Sequence, residues 1–140
     1  MRLLQLMIIG VISGLGLGSF LKLMEQMTSK QVYTLLLNVD YIPVLNSWCL
    51  NEFSEFMLHI LVSIILVPSI YYSLKQIGQR QSIYTYMLIS SLIGAILYVT
   101  TSFSTRTPAL YDEAAFLLWI LGHLLFGWIV GTLIAMIVKD

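Results

Sequence analysis

Apolar residues in this chain gather into four long runs, at about 3–23, 56–74, 83–103 and 114–138, with polar interruptions between them. Each run is long enough to cross a bilayer as a helix, which takes about 20 residues. The runs do not alternate as strands would, and a backbone inside lipid has to satisfy its own hydrogen bonds, so the pattern predicts four transmembrane helices in an all-α polytopic membrane protein. Pro68 lies inside the second run and predicts a local kink there. The second and third runs are joined by the short polar turn "KQIGQRQS", and the third and fourth by "STRTPALYDE". Between the first and second runs lies a longer insertion, 28–51, that is too apolar for a loose loop. Asp40 and Pro43 interrupt it too often for a span. It is expected to lie along the membrane surface or tuck against the bundle, with Tyr33, Tyr41 and Trp48 at headgroup level.

Composition strengthens this reading. The chain has 140 residues, 59% hydrophobic and 10% charged, with a mean hydropathy of +0.90. A soluble domain carries about 25% charged residues. The expected environment is therefore the lipid bilayer, and the expected partner a second copy or another membrane protein. A net charge of zero gives no reason to expect nucleic acid. Cys49 is the single cysteine, which excludes an intrachain disulfide and paired-thiol chemistry. Arg2 and the apolar run after it, followed by Lys22, Glu25 and Lys30, read as a retained first span rather than a cleaved signal peptide. Charge also orients the bundle. Arg2, Lys75, Arg80 and Lys139, against Asp140, share the side that holds both termini. Lys22, Lys30 and Arg106, against Glu25, Asp40, Glu52, Glu55, Asp112 and Glu113, share the other. Basic residues favour the cytoplasm, so a multi-pass protein of the cell's inner membrane with both termini cytoplasmic is expected.

The second and fourth runs align without a gap at an offset of 64. That frame matches His59 with His123, Leu61 with Leu125, Ser63 with Gly127, Ile65 with Ile129, Ile70 with Ile134 and Lys75 with Lys139. The first and third runs align more loosely at an offset of 80, pairing Gly14 with Gly94. The pattern predicts two pseudo-repeated helical hairpins. Each histidine stands sixteen residues before its lysine, about 24 Å along a helix. In an apolar core about 30 Å thick, both rings should then lie at one depth, away from the terminal side.

Ionisable groups in lipid are costly and normally face a bundle interior or a wet cavity. His59 and His123 are thus expected to point inward, toward each other or toward the first helix. Glu52, Glu55 and His59 fall on one helical face, and Ser63 continues it. Glu25 is expected near them, giving an acidic mouth around the histidines. His59, His123, Glu55, Glu52 and Glu25 are accordingly the candidate site for a proton, a cation or a small ligand, or for support of a membrane assembly. Interhelical hydrogen bonding alone is the simpler alternative for the two rings. Two level histidines also fit b-type haem ligation, and a metal would need a third ligand such as Glu55. A lipid-modifying enzyme with one histidine as base is a further alternative. No phosphate loop, nucleophile elbow or H-E-x-x-H motif occurs. No catalytic residue is assigned, and Ser13, Ser63, Ser90 and Ser91 read as packing or hydrogen-bonding residues. Gly10, Gly14 and Gly18 form a doubled G-x-x-x-G, and Gly127 and Gly131 share the face of His123. Both sets predict close helix packing, within the bundle or to a second copy for the first helix. Asp112 and Glu113 fit the positive end of the fourth helix.

Three stretches, "GVISGLGLGSFLK", "LHILVSIIL" and "GHLLFGWIVG", resemble the YagU-like group of small bacterial inner-membrane proteins. That resemblance implies a four-helix membrane bundle and no particular reaction.

Overall fold

The computed structural model describes residues 2–48 and 50–138. Cys49, Lys139 and Asp140 lie outside the described residues, and with them the Lys75–Lys139 match. The elements are α1 (Arg2–Thr28), α2 (Val32–Leu37), α3 (Pro43–Asn46), α4 (Glu52–Gln76), α5 (Ile83–Tyr98), a 3-10 turn (Val99–Phe103) and α6 (Glu113–Ile137). No strand occurs among the described residues. α1, α4, α5 with its 3-10 extension, and α6 are each long and apolar enough to cross a membrane.

α1 and α4 run past the ends of their apolar runs, α5 gives way to the 3-10 turn before the end of its run, and polar residues cap the starts of α4 and α6. Asn51 accepts the Ser54 amide at 2.9 Å to start α4, and Asp112 accepts the Ala115 amide at 3.1 Å to start α6. Each cap satisfies an amide that has no partner within its own helix. α4 is closed off by Gly78, two residues beyond its end, which takes the left-handed φ of 72°. The Gln79 amide then reaches back to the Leu74 carbonyl and the Gly78 amide to Lys75. This is a Schellman closure, and glycine adopts that φ without a Cβ clash. α4 stays helical through Pro68.

Four spans joined in this way run up and down, so one end of the bundle carries both termini. The other carries α2, α3 and the 3-10 turn, and is called the loop face below. α1 packs on α4, α5 packs on α6, and α1 packs on α6; α4 and α5 make at most marginal contact. The order around the bundle is therefore α4–α1–α6–α5, an arc with a gap between its two ends. α1 and α6, in the middle of the arc, bury more of their apolar surface than α4 and α5. The core is made of Leu6, Leu21, Val67, Tyr71, Tyr86, Val130 and Ile134. Outward-facing Leu4, Ile8, Val62, Leu92 and Leu117 are at least half exposed. Rows of exposed leucine and isoleucine on every long helix are tolerable in lipid and would drive association in water. The protein is an integral membrane protein with four spanning helices.

The α1 glycines are used within the bundle. A Cβ at Gly10 would stand 2.7 Å from the Ser63 carbonyl oxygen, and one at Gly14 2.8 Å from Ser63 Oγ, both on α4. Gly18 lies against the Phe56 ring, also on α4. In the second hairpin, Gly127 lies against the backbone of Tyr86 and Met87, and Gly131 against Ile83. Small residues let two helix backbones approach closely, as the sequence pattern predicts.

The 28–51 insertion tucks against the bundle, with α2 on α1, α4 and α6. Val32, Leu35 and Leu37 are its buried anchors. Burial pushes the Tyr41 phenol up from its ordinary pKa, and the same cause dominates at Tyr33.

Candidate functional site

The two histidines end up on the wall of one cavity. It measures about 220 Å³, and its lining includes His59 of α4, His123 of α6, Ser90 of α5 and Asn38 of the insertion. Most other lining residues are apolar, among them Leu61, Leu66, Ile93 and Phe126. The cavity fills the place where α4 and α5 fail to meet.

Each ring meets one of the two glycines that the offset of 80 pairs with each other. His59 Nε2 lies 3.1 Å from the carbonyl oxygen of Gly14 on α1. The His123 ring lies against Gly94 on α5, where a Cβ would come within 2.5 Å of His123 Cγ. The offsets of 64 and 80 thus recur as one histidine-on-glycine contact in both hairpins. The equivalence stops between hairpins, because α1 packs on α6 while α4 leaves α5. A strict twofold relation would require both contacts or neither.

A carbonyl oxygen only accepts, so each bonded ring nitrogen has to donate. His59 therefore carries its proton on Nε2 toward Gly14. His123 carries its proton on Nδ1, 2.9 Å from the carbonyl of Trp119 one turn earlier in α6. The other nitrogen of each neutral ring, Nδ1 of His59 and Nε2 of His123, is an acceptor with no hydrogen bond among the described residues. Trp119 makes the cross-helix bond in this hairpin, donating Nε1–H to the Gly94 carbonyl at 2.7 Å. Its ring packs on His123 with centroids 4.5 Å apart.

Two further polar groups on the cavity wall lack partners. Ser90 Oγ and Asn38 Nδ2 are buried with no hydrogen-bond partner, and each residue is only 2% exposed. Sequence reading treats Ser90 as one of four packing serines. Ser13, Ser63 and Ser91 do bond to their own helix, at the carbonyls of Ile9, His59 and Met87. Ser90 is the exception. Trp119 and Asn38 are absent from the sequence-based candidates. Trp119 had one available signal, its place one turn before His123 on the same face; Asn38 had none.

The carboxylates do not form an open acidic mouth. Glu25, Glu52 and Glu55 do line one shallow depression on the loop face, together with Lys22 and Arg106. Each, however, already has a partner. Glu52 pairs with Lys22 at 2.7 Å and accepts the Tyr33 hydroxyl. Glu25 accepts the Thr34 amide and hydroxyl at the start of α2. Glu55 pairs with Arg106 at 3.0 Å, and Arg106 also reaches Asp40 at 3.6 Å. Of these, Glu55 alone also lines the histidine cavity. On α6 the Asp112 carboxylate accepts Lys30 at 2.8 Å, and that bond holds it below the usual carboxylate range.

No group of three or more His, Cys, Asp or Glu side chains among the described residues is arranged to hold a metal ion. Haem does not fit these residues either. His59 Nε2 is committed to Gly14, and about 220 Å³ falls short of the roughly 300–1,000 Å³ of ordinary ligand pockets. Compared with protein-family models, with curated proteins and with solved structures, the chain matches none.

Proposed function

We propose that this membrane protein is a non-enzymatic binding protein whose His59/His123 cavity takes a small, neutral, hydrogen-bonding ligand. One observation carries this reading. Two rings from two hairpins share one apolar cavity, and each is fixed by a backbone carbonyl so that its other nitrogen is left as an acceptor. An imidazole with its ordinary pKa of about 6.5 is mostly neutral at pH 7. The nearest carboxylate, Glu55, is already neutralised by Arg106. A cation entering these apolar walls would lose its hydration and meet no free countercharge. An enzymatic reading lacks a nucleophile, since Ser63 Oγ bonds to a backbone carbonyl and Ser90 Oγ has no imidazole partner. In a cell the termini would face the cytoplasm, following the distribution of lysine and arginine.

Monobutyrin, a short water-soluble glyceride with two hydroxyls, tests the reading. Added to purified protein in detergent, it should raise the melting temperature of the wild type. It should leave a His59→Leu/His123→Leu variant unmoved. An equal response in both proteins, or in neither, would overturn the reading.

A further inference from the structure

We infer that the ligand is a single-chain neutral amphiphile drawn sideways from the bilayer through the gap between α4 and α5. Its hydroxylated head would sit among His59, His123, Ser90 and Asn38. This rests on the hydrogen-bonding reading of the cavity given above and adds the ligand's class and its route.

The route follows from what closes the cavity and what does not. On the loop face the insertion covers it, and Arg106 ties that cover down by reaching Asp40 of the insertion and Glu55 of α4 together. Ser104 adds a bond of 2.6 Å to the same Asp40 carboxylate. On the side, α4 and α5 make at most marginal contact. The α4 edge of that gap presents Leu61 and Ile65, which line the cavity and are 50% and 61% exposed. Both lie within a membrane-spanning helix, so what they meet outside is acyl chain. An apolar opening in that position admits lipid and repels water and ions.

The head group follows from the unmet hydrogen bonds. A buried polar atom without a partner costs free energy, so native structures normally satisfy it. Asn38 Nδ2 and Ser90 Oγ on the cavity wall are such atoms, and His59 and His123 on the same wall each keep one acceptor ring nitrogen outside the bonds to Gly14 and Trp119. Hydroxyl groups both donate and accept and answer all four. A charged head would find Glu55 and Arg106 already paired with each other. The single chain follows from the same small volume: about 220 Å³ takes a head group and the start of one chain, and the rest of the chain has to stay in the gap between α4 and α5.

Trp119 supplies the probe. It lines the cavity and is 3% exposed, whereas Trp48 and Trp128 are 58% and 51% exposed. A Trp48→Phe/Trp128→Phe protein in phosphatidylcholine bilayers would therefore report from the cavity alone. A monoacylglycerol with a brominated chain should quench Trp119 saturably at low mole fraction. Ser90→Leu, which fills the wall, should abolish that quenching. Ser104→Ala, which removes the loop-face bond to Asp40, should preserve it. Brominated phosphatidylcholine, with two chains and a charged head, should quench little. If monobutyrin stabilises the wild type but the brominated monoacylglycerol leaves Trp119 bright, lateral entry is wrong and the hydrogen-bonding site stands. Equal quenching by a brominated methyl ester, which has no hydroxyl, would overturn the assigned head group. Equal quenching by brominated phosphatidylcholine would overturn selection for one chain.

Discussion

The two hairpins solve the same problem differently. In each, a histidine sits against a glycine on the neighbouring helix. In the α1–α4 hairpin the ring itself spans the interface, from His59 Nε2 to the Gly14 carbonyl. In the α5–α6 hairpin the ring turns back on its own helix, to the Trp119 carbonyl, and the indole of Trp119 makes the crossing to Gly94 instead. A matched sequence position therefore does not fix a matched hydrogen bond. The neighbour one turn away decides it: Glu55 at that position in α4 turns toward Arg106 and leaves His59 to bridge. The outcome is a pair of rings with opposite tautomers facing one space.

The sharpest way to break both hairpins alike is to enlarge the glycines that touch backbone. Gly10→Val and Gly127→Val each place atoms under 3.0 Å from partner-helix main chain, which cannot swing aside. Each should cost about 3 kcal/mol, the upper part of the range for overpacking. Melting in detergent measures this, and near-neutral results would contradict the packing described. The next substitutions separate the hairpins. Trp119→Phe should cost about 1 kcal/mol, because it removes a buried cross-helix donor. His59→Leu should cost about 0.6 kcal/mol, a typical interhelical bond in a membrane. The reverse order would mean that the indole bond is not the one holding α5 to α6.

Smaller effects belong to the loop face. Asp112 has its carboxyl held below the usual value by Lys30. Its contribution to stability is complete above the unfolded carboxylate pKa of about 3.9 and is lost as pH falls through the lower folded value. Lys30→Ala should flatten that acid limb in a melting-against-pH series by lowering the plateau at pH 7, and should change little below the folded carboxyl pKa. Arg106→Ala should cost about 1 kcal/mol: the guanidinium is half exposed, but the Glu55 carboxylate it leaves unpaired is only 11% exposed. Its main effect should be faster hydrogen exchange in the 28–51 insertion.

The spans, the tucked insertion and the glycine faces are legible in the sequence because long apolar runs and four-residue glycine spacing each have one physical meaning in lipid. The cost of ionisable groups in lipid makes the inward facing of His59 and His123 an expectation of the sequence, but not whether they face each other or the first helix. The gap between α4 and α5 is not legible. Helices that are apolar nearly all round give no stripe to show which face meets protein and which meets lipid. Nor does sequence show that Arg106 neutralises Glu55, because the two lie 51 positions apart and meet only through the fold. Ser90 looks like Ser91 on paper, and only the helix rotation separates the orphaned hydroxyl from the bonded one.

The most direct test is nitrogen NMR of histidine-labelled protein in bilayers at pH 7, with His59→Leu used to assign the two rings. The expected spectrum has two neutral imidazoles, His59 protonated on Nε2 and His123 on Nδ1, and the unprotonated nitrogen of both shifts when monoacylglycerol is added. Two rings of the same tautomer, or only one that responds, would contradict a shared cavity built in this way.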